Sequence, residues 1–280
     1  MVVDFTSGYG HGAGDRLRRL TYFMAIARHL GDTTLVVREL VSPSCPCDLS
    51  DMIRVEGMDI RRWTDSDGDE QWVLDPPYAF PDDGAASRNS RPGIALSDPQ
   101  FVAAWRDAYR TLRPSAGVAA MLEQVPVTSA CLGVHVRRTD KVNVRPNDFA
   151  VSPRELARND RNLRVLIERK CREHGHASVY LAADNAASLT EWRGTLSALG
   201  LDVMSHAATY DERALRHTTA EDFFVDLFAL SRCGTLGGSV QSSVSSSAWL
   251  MGGIRDITIA FTEHDRGVRR IVRLLKYWDR

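Results

Sequence analysis

The sequence predicts an α/β fold in which helices cover both faces of a mostly parallel sheet. Two observations support this prediction. Apolar segments of strand length alternate with helix-length segments through the second half of the chain, and residues 2–40 have the pattern of a strand, a glycine-rich turn, a helix and a second strand. Parallel strands need a long crossover, which a helix usually supplies. With 280 residues, 44% of them hydrophobic, the chain can form one or two domains.

The first half of the chain opens with "VVDF", which predicts a short strand, and continues into the glycine cluster "SGYGHGAGD". Leu17, Leu20, Met24 and Ala27 then repeat at helical spacing, and "TTLVVREL" predicts a second strand. Residues 43–100 are rich in Pro, Asp, Gly and Ser, so we expect irregular structure there. A helix at 103–112 and a shorter one within 113–130 should follow.

The second half is more regular. Ser152, Pro153 and Glu155 form a capping box with proline at the first helical position, which fixes the start of one helix. The predicted strands are 131–136, 178–182, 201–204, 234–237 and 256–260. The predicted helices are 153–173, 186–199, 220–231, 242–251 and a basic terminal helix from about 265.

Charge and cysteine content narrow the class of protein. A net charge of -1 argues against a general nucleic-acid surface. The chain lacks a secretory signal pattern and any apolar run near the roughly 18 residues that cross a bilayer, so we expect a cytoplasmic protein without a membrane span. An odd number of cysteines, five, suits reduced thiols, and Cys45 and Cys47 lack the second close pair that a zinc site needs.

Two arginines follow the apolar alternation of "LGVHVRRTD". The alternation puts Leu132, Val134 and Val136 on one face of a strand and His135 on the other, so Arg137 and Arg138 leave the sheet at its carboxyl end. Ligands of open parallel sheets bind at that end, and paired guanidinium groups suit a diphosphate. The alternative is a structural ion network, in which both arginines pair with Asp140 and a second carboxylate.

The segment "GVHVRRTDKV" is similar to the HxRRxD segment of the α1,6-fucosyltransferases, the core-fucosylation and Nod-factor enzymes. The segments "VYLAADNAASLTEW", "DFFVDLFALSRC" and "GGSVQSSVSSSAWLMGG" resemble later segments of that family in the same order and spacing. Upstream, "GAGDRLRRLTYFMAIARHLGDTTLVV" resembles the glycine turn and first helix of the wider fucosyltransferase group. The resemblance touches residues 8–38 and 131–253 and leaves 40–130 largely uncovered.

This resemblance implies a GT-B fold, with two Rossmann-like domains facing a cleft, and an inverting, metal-independent glycosyltransferase of bacterial type. It implies no cofactor. The donor would be a GDP-sugar, with L-fucose the expected sugar, and the acceptor a glycan, a peptide or a small molecule. The corresponding domains are 1–128 on the acceptor side, 129–262 for the GDP-sugar, and a terminal helix at 263–280 that packs back on the first domain.

The resemblance also implies roles for individual residues. Those that would contact the nucleotide-sugar are Gly12 and Gly14 at the pyrophosphate, His135 near the guanine, Arg137 and Arg138 at the phosphates, Asp184 at the base, and Ser242 and Ser243 in the serine turn. Asp184 is equally suited to capping the helix at 186–199. In catalysis, Arg137 would stabilise the leaving diphosphate with help from Arg138 or Lys141.

The catalytic base stays open. The family's downstream glutamate corresponds to Arg145 here, and Asp140 and Asp148 are the nearest carboxylates. Asp226 is expected to be a buried structural acid that holds the serine turn. Phe223, Phe224 and Phe228 are better explained as core residues than as a stacking platform.

Two other functions fit parts of the sequence. "GYGHGA" after a strand matches G-x-G-x-x-A, and Glu39 stands where a ribose-binding acid could lie, as in an NAD(P)-dependent oxidoreductase. This reading leaves HVRRTD and the serine turn unexplained. The other possibility is a GT-B protein that binds a nucleotide-sugar or glycan without transferring anything, which the altered loop after Lys141 keeps open.

Overall fold

The structure is a computed structural model. It describes residues 2–260, apart from 5–11, 39–40, 44, 68–98, 139–151, 212–216, 240–241 and 255. Within this range the chain divides into two compact units, Met1–Ser115 and Ala116–Arg280. The predicted terminal helix and the segment 263–280 lie outside the described residues.

The first unit contains a parallel sheet with the strand order β1-β2-β4 and a separate antiparallel pair, β3 and β5. Its strands are β1 (Val2–Asp4), β2 (Thr34–Arg38), β3 (Ile53–Val55), β4 (Asp59–Arg62) and β5 (Leu112–Pro114). Its helices are α1 (Ala13–His29), α2 (Leu49–Met52), α3 (Pro99–Arg110) and a 3₁₀ turn, Asp65–Asp67. The β1-α1-β2 start of the chain confirms the predicted strand, helix and strand.

Residues 43–67 are more regular than the composition predicted. Proline, serine and aspartate are poor strand formers as a group, yet β4 pairs in parallel with β2, with Leu35 opposite Ile60. Pairing with β2 stabilises β4 as a strand, because the alternation of apolar and polar residues in β4 is too weak to predict a strand by itself. The prediction of irregular structure was therefore wrong for β3 and β4, and residues 68–98 lie outside the described range.

The second unit is built on a five-stranded parallel sheet with the order β10-β9-β6-β7-β8. Its strands are β6 (Leu132–Val136), β7 (Ser178–Ala183), β8 (Asp202–Met204), β9 (Thr235–Ser239) and β10 (Asp256–Ala260). Its helices are α4 (Ala116–Leu122), α5 (Pro153–His174), α6 (Ala186–Ser197), α7 (Ala220–Ser231) and α8 (Ser243–Gly252). The strands and helices predicted between residues 131 and 260 are all present, within a few residues at each end.

The core of the second unit explains why the two arginines follow β6 and do not lie within it. Leu132, Val134 and Val136 are fully buried on one face, in a cluster with residues of α5 and α6 such as Ile167 and Trp192. The opposite face is equally closed, since a Cβ at Gly133 would lie 2.5 Å from a methyl of the Leu236 side chain. Both faces are covered, as expected for a parallel strand, so polar groups reach the surface only at the strand's end.

The helix starts follow the sequence signals. Ser152 accepts from the amide of Glu155, and the Glu155 carboxylate accepts from the Ser152 amide, so the predicted capping box is confirmed with Pro153 in the first turn. α5 ends at Gly175, which adopts the left-handed conformation with φ of 69°. This helix spans the crossover from β6 to β7 and fixes their parallel arrangement.

Candidate functional site

The order of the strands places a topological switch point at β6. From β6 the chain proceeds through β7 to β8 on one side of the sheet, and then returns to add β9 and β10 on the other side. The connections that follow β6 and β9 therefore lead to opposite sides of the sheet, and a crevice is expected outside the carboxyl ends of these two strands. Ligands of open α/β sheets bind in such crevices.

The end of β6 is anchored on both sides by neighbouring strand ends. The backbone amide of Arg137 donates to Ser239 Oγ, at the end of β9, over 3.0 Å. The next amide, that of Arg138, donates to both carboxylate oxygens of Asp184, which follows β7, over 3.0 and 2.9 Å. Because two consecutive amides are held from opposite sides, the positions from which the two arginine side chains leave the strand are fixed.

The guanidinium group of Arg138 forms ion pairs with two carboxylates. Its guanidinium group lies 2.6 Å from a carboxylate oxygen of Asp160 on α5 and 2.5 Å from one of Glu191 on α6, and its side chain is only 15% exposed. Burial lowers the pKa of Arg138, but the bonds to Glu191 and Asp160 outweigh it, and the net shift is upward. Arg138 therefore lies in an ion network, as the alternative reading of the sequence allowed, but with Asp160 and Glu191 as its described partners. Contact of Arg138 with a phosphate stays a prediction.

His135 and the serine turn come together at the same crevice. The Nδ1 atom of His135 lies 3.1 Å from Ser242 Oγ and 3.1 Å from Ser245 Oγ, and the residue is only 6% exposed. Ser242 is the N-cap of α8 and accepts from the amide of Val244. The two hydroxyl groups therefore fix the orientation of the imidazole ring against the N-terminus of α8.

Gly238 makes this approach possible. It is the β9 partner of His135 in the sheet register, and a Cβ atom at this position would lie 2.3 Å from Ser245 Oγ. Real Cβ atoms do not come so close to other atoms, so only glycine lets α8 pack against the strand at this height. Ser245 was missed from the sequence, although it lies three residues after Ser242 and hence on the same face of the helix.

Arg137 lies at the carboxyl end of β6, beside the end of β9. It is half-buried, follows directly after the strand that carries His135, and is joined through its amide to Ser239. Ser239 was also missed from the sequence, because only the serine run at 242–247 was considered there. Ser243 forms the first residue of α8, so its amide belongs to the unpaired N-terminal turn of that helix.

Asp184 accepts hydrogen bonds from the backbone just after β6 and does not cap the following helix, α6. Besides the Arg138 amide, its carboxylate accepts from Asn185 Nδ2 over 2.9 Å. The N-cap of α6 is Asn185, whose Oδ1 accepts from the amide of Ser188 over 2.8 Å. The capping role considered for Asp184 therefore belongs to its neighbour, and contact of Asp184 with a base stays a prediction.

The glycine turn is described only at its end. Gly12 is the N-cap of α1 and offers no side chain, and Gly14 lies buried in the first turn of the same helix. The helix continues with Arg16 and Arg19, which are 1% and 2% exposed and were not noticed in the sequence. Contact of Gly12 and Gly14 with a pyrophosphate stays a prediction.

Asp226 is buried, as expected, and bonds to Tyr180, whereas a role in holding the serine turn stays a prediction. Its carboxylate accepts from the hydroxyl of Tyr180 on β7 over 2.5 Å. Burial raises the pKa of Asp226 to about 7. Phe224 and Phe228 on the same helix are core residues, at 0% and 5% exposed, which confirms their predicted role.

Three of the predicted catalytic residues, Asp140, Lys141 and Asp148, lie outside the described residues. Among the described residues, one group of possible metal ligands is found, formed by Glu173, His174 and Asp256. It lies at the amino end of β10, away from the carboxyl ends that carry His135, and Lys170 Nζ already lies 2.6 Å from the Asp256 carboxylate. Among the same residues, none of the helices has the length and apolar character to cross a membrane.

Comparisons with known proteins identify the fold. No protein-family model matches the chain, and no curated protein matches it either. Solved structures do: a crystal structure of POFUT1 in complex with GDP-fucose has a TM-score of 0.56 at 12% identity, covering 92% of this chain and 97% of that one. A crystal structure of NodZ α-1,6-fucosyltransferase soaked with GDP-fucose has a TM-score of 0.51 at 17% identity, covering 89% and 92%.

At these identities the likeness establishes the fold and not the chemistry. The chain has the GT-B fold of the fucosyltransferases, as the resemblance implied. The particular structures it is similar to are POFUT1 and NodZ, both of them recorded with GDP-fucose.

Proposed function

We propose that the protein is an inverting, metal-independent glycosyltransferase that transfers a sugar, L-fucose, from a GDP-sugar to an acceptor hydroxyl. One observation carries the proposal: Arg137, the ring of His135 and the N-terminus of α8 converge at the switch point of a sheet whose fold is shared with structures that hold GDP-fucose.

The crevice has the groups that a diphosphate requires. A helix N-terminus presents unpaired amides and a positive partial charge, and α8 begins there with Ser242 and Ser243. Arg137 would add a full positive charge and a forked set of donors. As the sugar leaves, negative charge grows on the β-phosphate, and a cation fixed beforehand by the Ser239 anchor would stabilise that charge without reorganising.

His135 would act in recognition of the base. Its ring is held at Nδ1 by Ser242 and Ser245, so it cannot turn freely when a ligand binds. A ring fixed in advance costs less entropy on binding than a mobile one, which supports a role in orienting the guanine. Asp184, at the end of the adjacent strand, would contribute to the same end of the nucleotide.

Inverting transfer also needs a base that removes the acceptor proton as the hydroxyl attacks the anomeric carbon. We propose that Asp140 or Asp148 supplies it. With GDP-fucose alone, water can take the place of the acceptor, so hydrolysis reports on the same base. Asp140→Asn and Asp148→Asn should differ: one should retain GDP affinity and lose hydrolysis, and equal hydrolysis in both variants and the wild type would exclude both carboxylates.

The function is tested by incubating the protein with GDP-fucose and pooled acceptors, namely oligosaccharides, hydroxyl-containing peptides and small hydroxylated molecules. Mass spectrometry should reveal an acceptor that gains one deoxyhexose, together with free GDP. Replacing GDP-fucose by GDP-mannose or UDP-glucose controls for the sugar and the base. Binding of GDP without product or hydrolysis would favour the non-catalytic alternative, and binding of NAD without GDP would favour an oxidoreductase.

A further inference from the structure

Cys45 and Cys47 form a buried pair of thiols in the first unit. They are separated only by Pro46, and their sulfur atoms lie 4.0 Å apart. Cys45 is 0% and Cys47 7% exposed. Their position after β2 is held by Ser42, whose amide and carbonyl both bond to the backbone of Cys45 over 3.0 and 2.9 Å. The geometry of the pair is thus fixed by its own turn and independent of the crevice in the second unit.

The surroundings of Cys45 favour its thiolate. A hydrogen bond with Cys47 is the largest influence and lowers the pKa of Cys45, burial and Asp48 raise it, and Arg16 lowers it, with a net value of about 7. Arg16 reaches the pair from α1 and donates to Ser42 Oγ over 3.0 Å. The thiolate is the reactive form of cysteine, and because both sulfur atoms are buried, a peroxide would reach them during local opening of this turn.

The other cysteines provide a contrast within the same chain. Burial raises the pKa of Cys171 and raises that of Cys233 far more. Cys233 donates to the carbonyl of Ala229 in the preceding helix α7 and, at 3% exposed, is about as buried as Cys45. It differs from Cys45 in that burial is the main influence on its pKa, which disfavours the reactive thiolate.

The spacing of the pair permits a disulfide. Residues i and i+2 cannot have Cα atoms more than about 7 Å apart, and disulfides occur at Cα separations of roughly 4.4–6.8 Å. Rotation of the two side chains can therefore bring the sulfur atoms together. Metal binding is less favoured, because the guanidinium of Arg16 repels a cation and, among the described residues, no third ligand atom lies close enough to complete a metal site.

We propose that Cys45 and Cys47 form an oxidation site, which a small peroxide converts into a reversible intrachain disulfide. The Cys45 thiolate attacks one peroxide oxygen, the O–O bond breaks, and Cys45 becomes a sulfenic acid while hydroxide leaves. The Cys47 sulfur then attacks Cys45 Sγ, an S–S bond forms, and the sulfenic oxygen leaves as water. In sum, two thiols and one hydrogen peroxide give one disulfide and two waters.

Peptide mass spectrometry tests this directly on the full chain. Trypsin cuts after Arg38 and Arg54, so both sulfurs lie in peptide 39–54, which contains no other cysteine. After treatment with hydrogen peroxide at pH 7 and blocking of remaining thiols, this peptide should lose two hydrogen atoms. Half-conversion should need less peroxide than any change at Cys233, which is about as buried but lies where its thiolate is disfavoured. Dithiothreitol should restore the reduced peptide.

The variant Cys47→Ser separates the two steps. Cys45 should then stop at the sulfenic acid and react with dimedone, while the folded state is checked by circular dichroism. Cys171→Ser, which removes a thiol in the other unit, should leave the disulfide yield unchanged. A peptide 39–54 that stays reduced while the equally buried Cys233 is oxidised would overturn the proposal, as would a Cys47→Ser protein that dimedone does not label. Oxygen gained at Cys45 or Cys47 in place of the disulfide would do the same, with fragmentation separating it from oxidation of Met52.

Discussion

Truncation of Arg138 should lower stability, whereas truncation of the adjacent Arg137 should weaken GDP binding. Arg138→Ala removes a guanidinium group that is 15% exposed and leaves the carboxylate of Asp160, 27% exposed, without its partner. A fully buried pair would cost about 3–5 kcal/mol to break and an exposed one under about 1 kcal/mol. Because Glu191 is 60% exposed, we expect a loss of about 1–3 kcal/mol in the free energy of unfolding.

Arg137→Ala should weaken GDP binding by about 2–4 kcal/mol, or about 30- to 1000-fold. Urea denaturation followed by circular dichroism measures the stability of each variant, and titration calorimetry measures its affinity for GDP. Asp160→Asn serves as a matched test of the ion network, and Arg164→Ala, on the exposed face of α5, controls for loss of a surface charge. A stable Arg138→Ala protein that has lost GDP affinity as severely as Arg137→Ala would refute the division of roles.

Three further predictions concern stability. Gly238→Ala places a Cβ 2.3 Å from Ser245 Oγ and 2.9 Å from Ser245 Cβ, so the free energy of unfolding in urea should fall by about 1–3 kcal/mol. The double variant Gly238→Ala/Ser245→Ala should recover only part of this loss. Full stability of Gly238→Ala would contradict the packing. Burial raises the pKa of Asp226 from 3.8 to about 7, so its stabilising contribution is complete below about pH 4 and is lost as the pH rises through 7. The free energy of unfolding of Asp226→Asn relative to the wild type should therefore rise by up to about 4 kcal/mol between about pH 4 and pH 7. Urea unfolding at several pH values measures this difference. A constant difference would show that Asp226 is already ionised. Ser152→Ala removes the cap of α5 and should cost about 1 kcal/mol, with a smaller loss in Ser152→Asp, and equal stability of all three proteins would mean that the cap contributes nothing.

The second unit could be predicted from the sequence because its signals are local. The alternation in β6, the capping box at Ser152 and the glycine that ends α5 each act within a few residues. The strand β4 depends instead on pairing with β2, more than twenty residues earlier in the chain, and no local pattern announces it. Composition alone therefore predicted irregular structure in a segment that carries a strand of the first sheet.

In the candidate site, too, the residues of a local motif could be predicted, whereas contacts between distant elements could not. His135, Arg137 and Ser242 lie in a motif and could be found, and the helical spacing from Ser242 would have indicated Ser245. The partners of Arg138 could not be predicted, because Asp160 and Glu191 come from two different helices that only the folded sheet brings to one place. Two adjacent arginines look alike in a sequence, and only the structure shows that Arg138 pairs with Asp160 and Glu191.

Titration calorimetry of the full chain with GDP, with UDP and NAD as comparisons, tests most directly whether the crevice at β6 and β9 binds the diphosphate of a guanine nucleotide. We predict saturable binding of GDP that weakens by about 30- to 1000-fold in Arg137→Ala, together with weaker binding of UDP. Saturable heat with NAD and none with GDP would contradict the account.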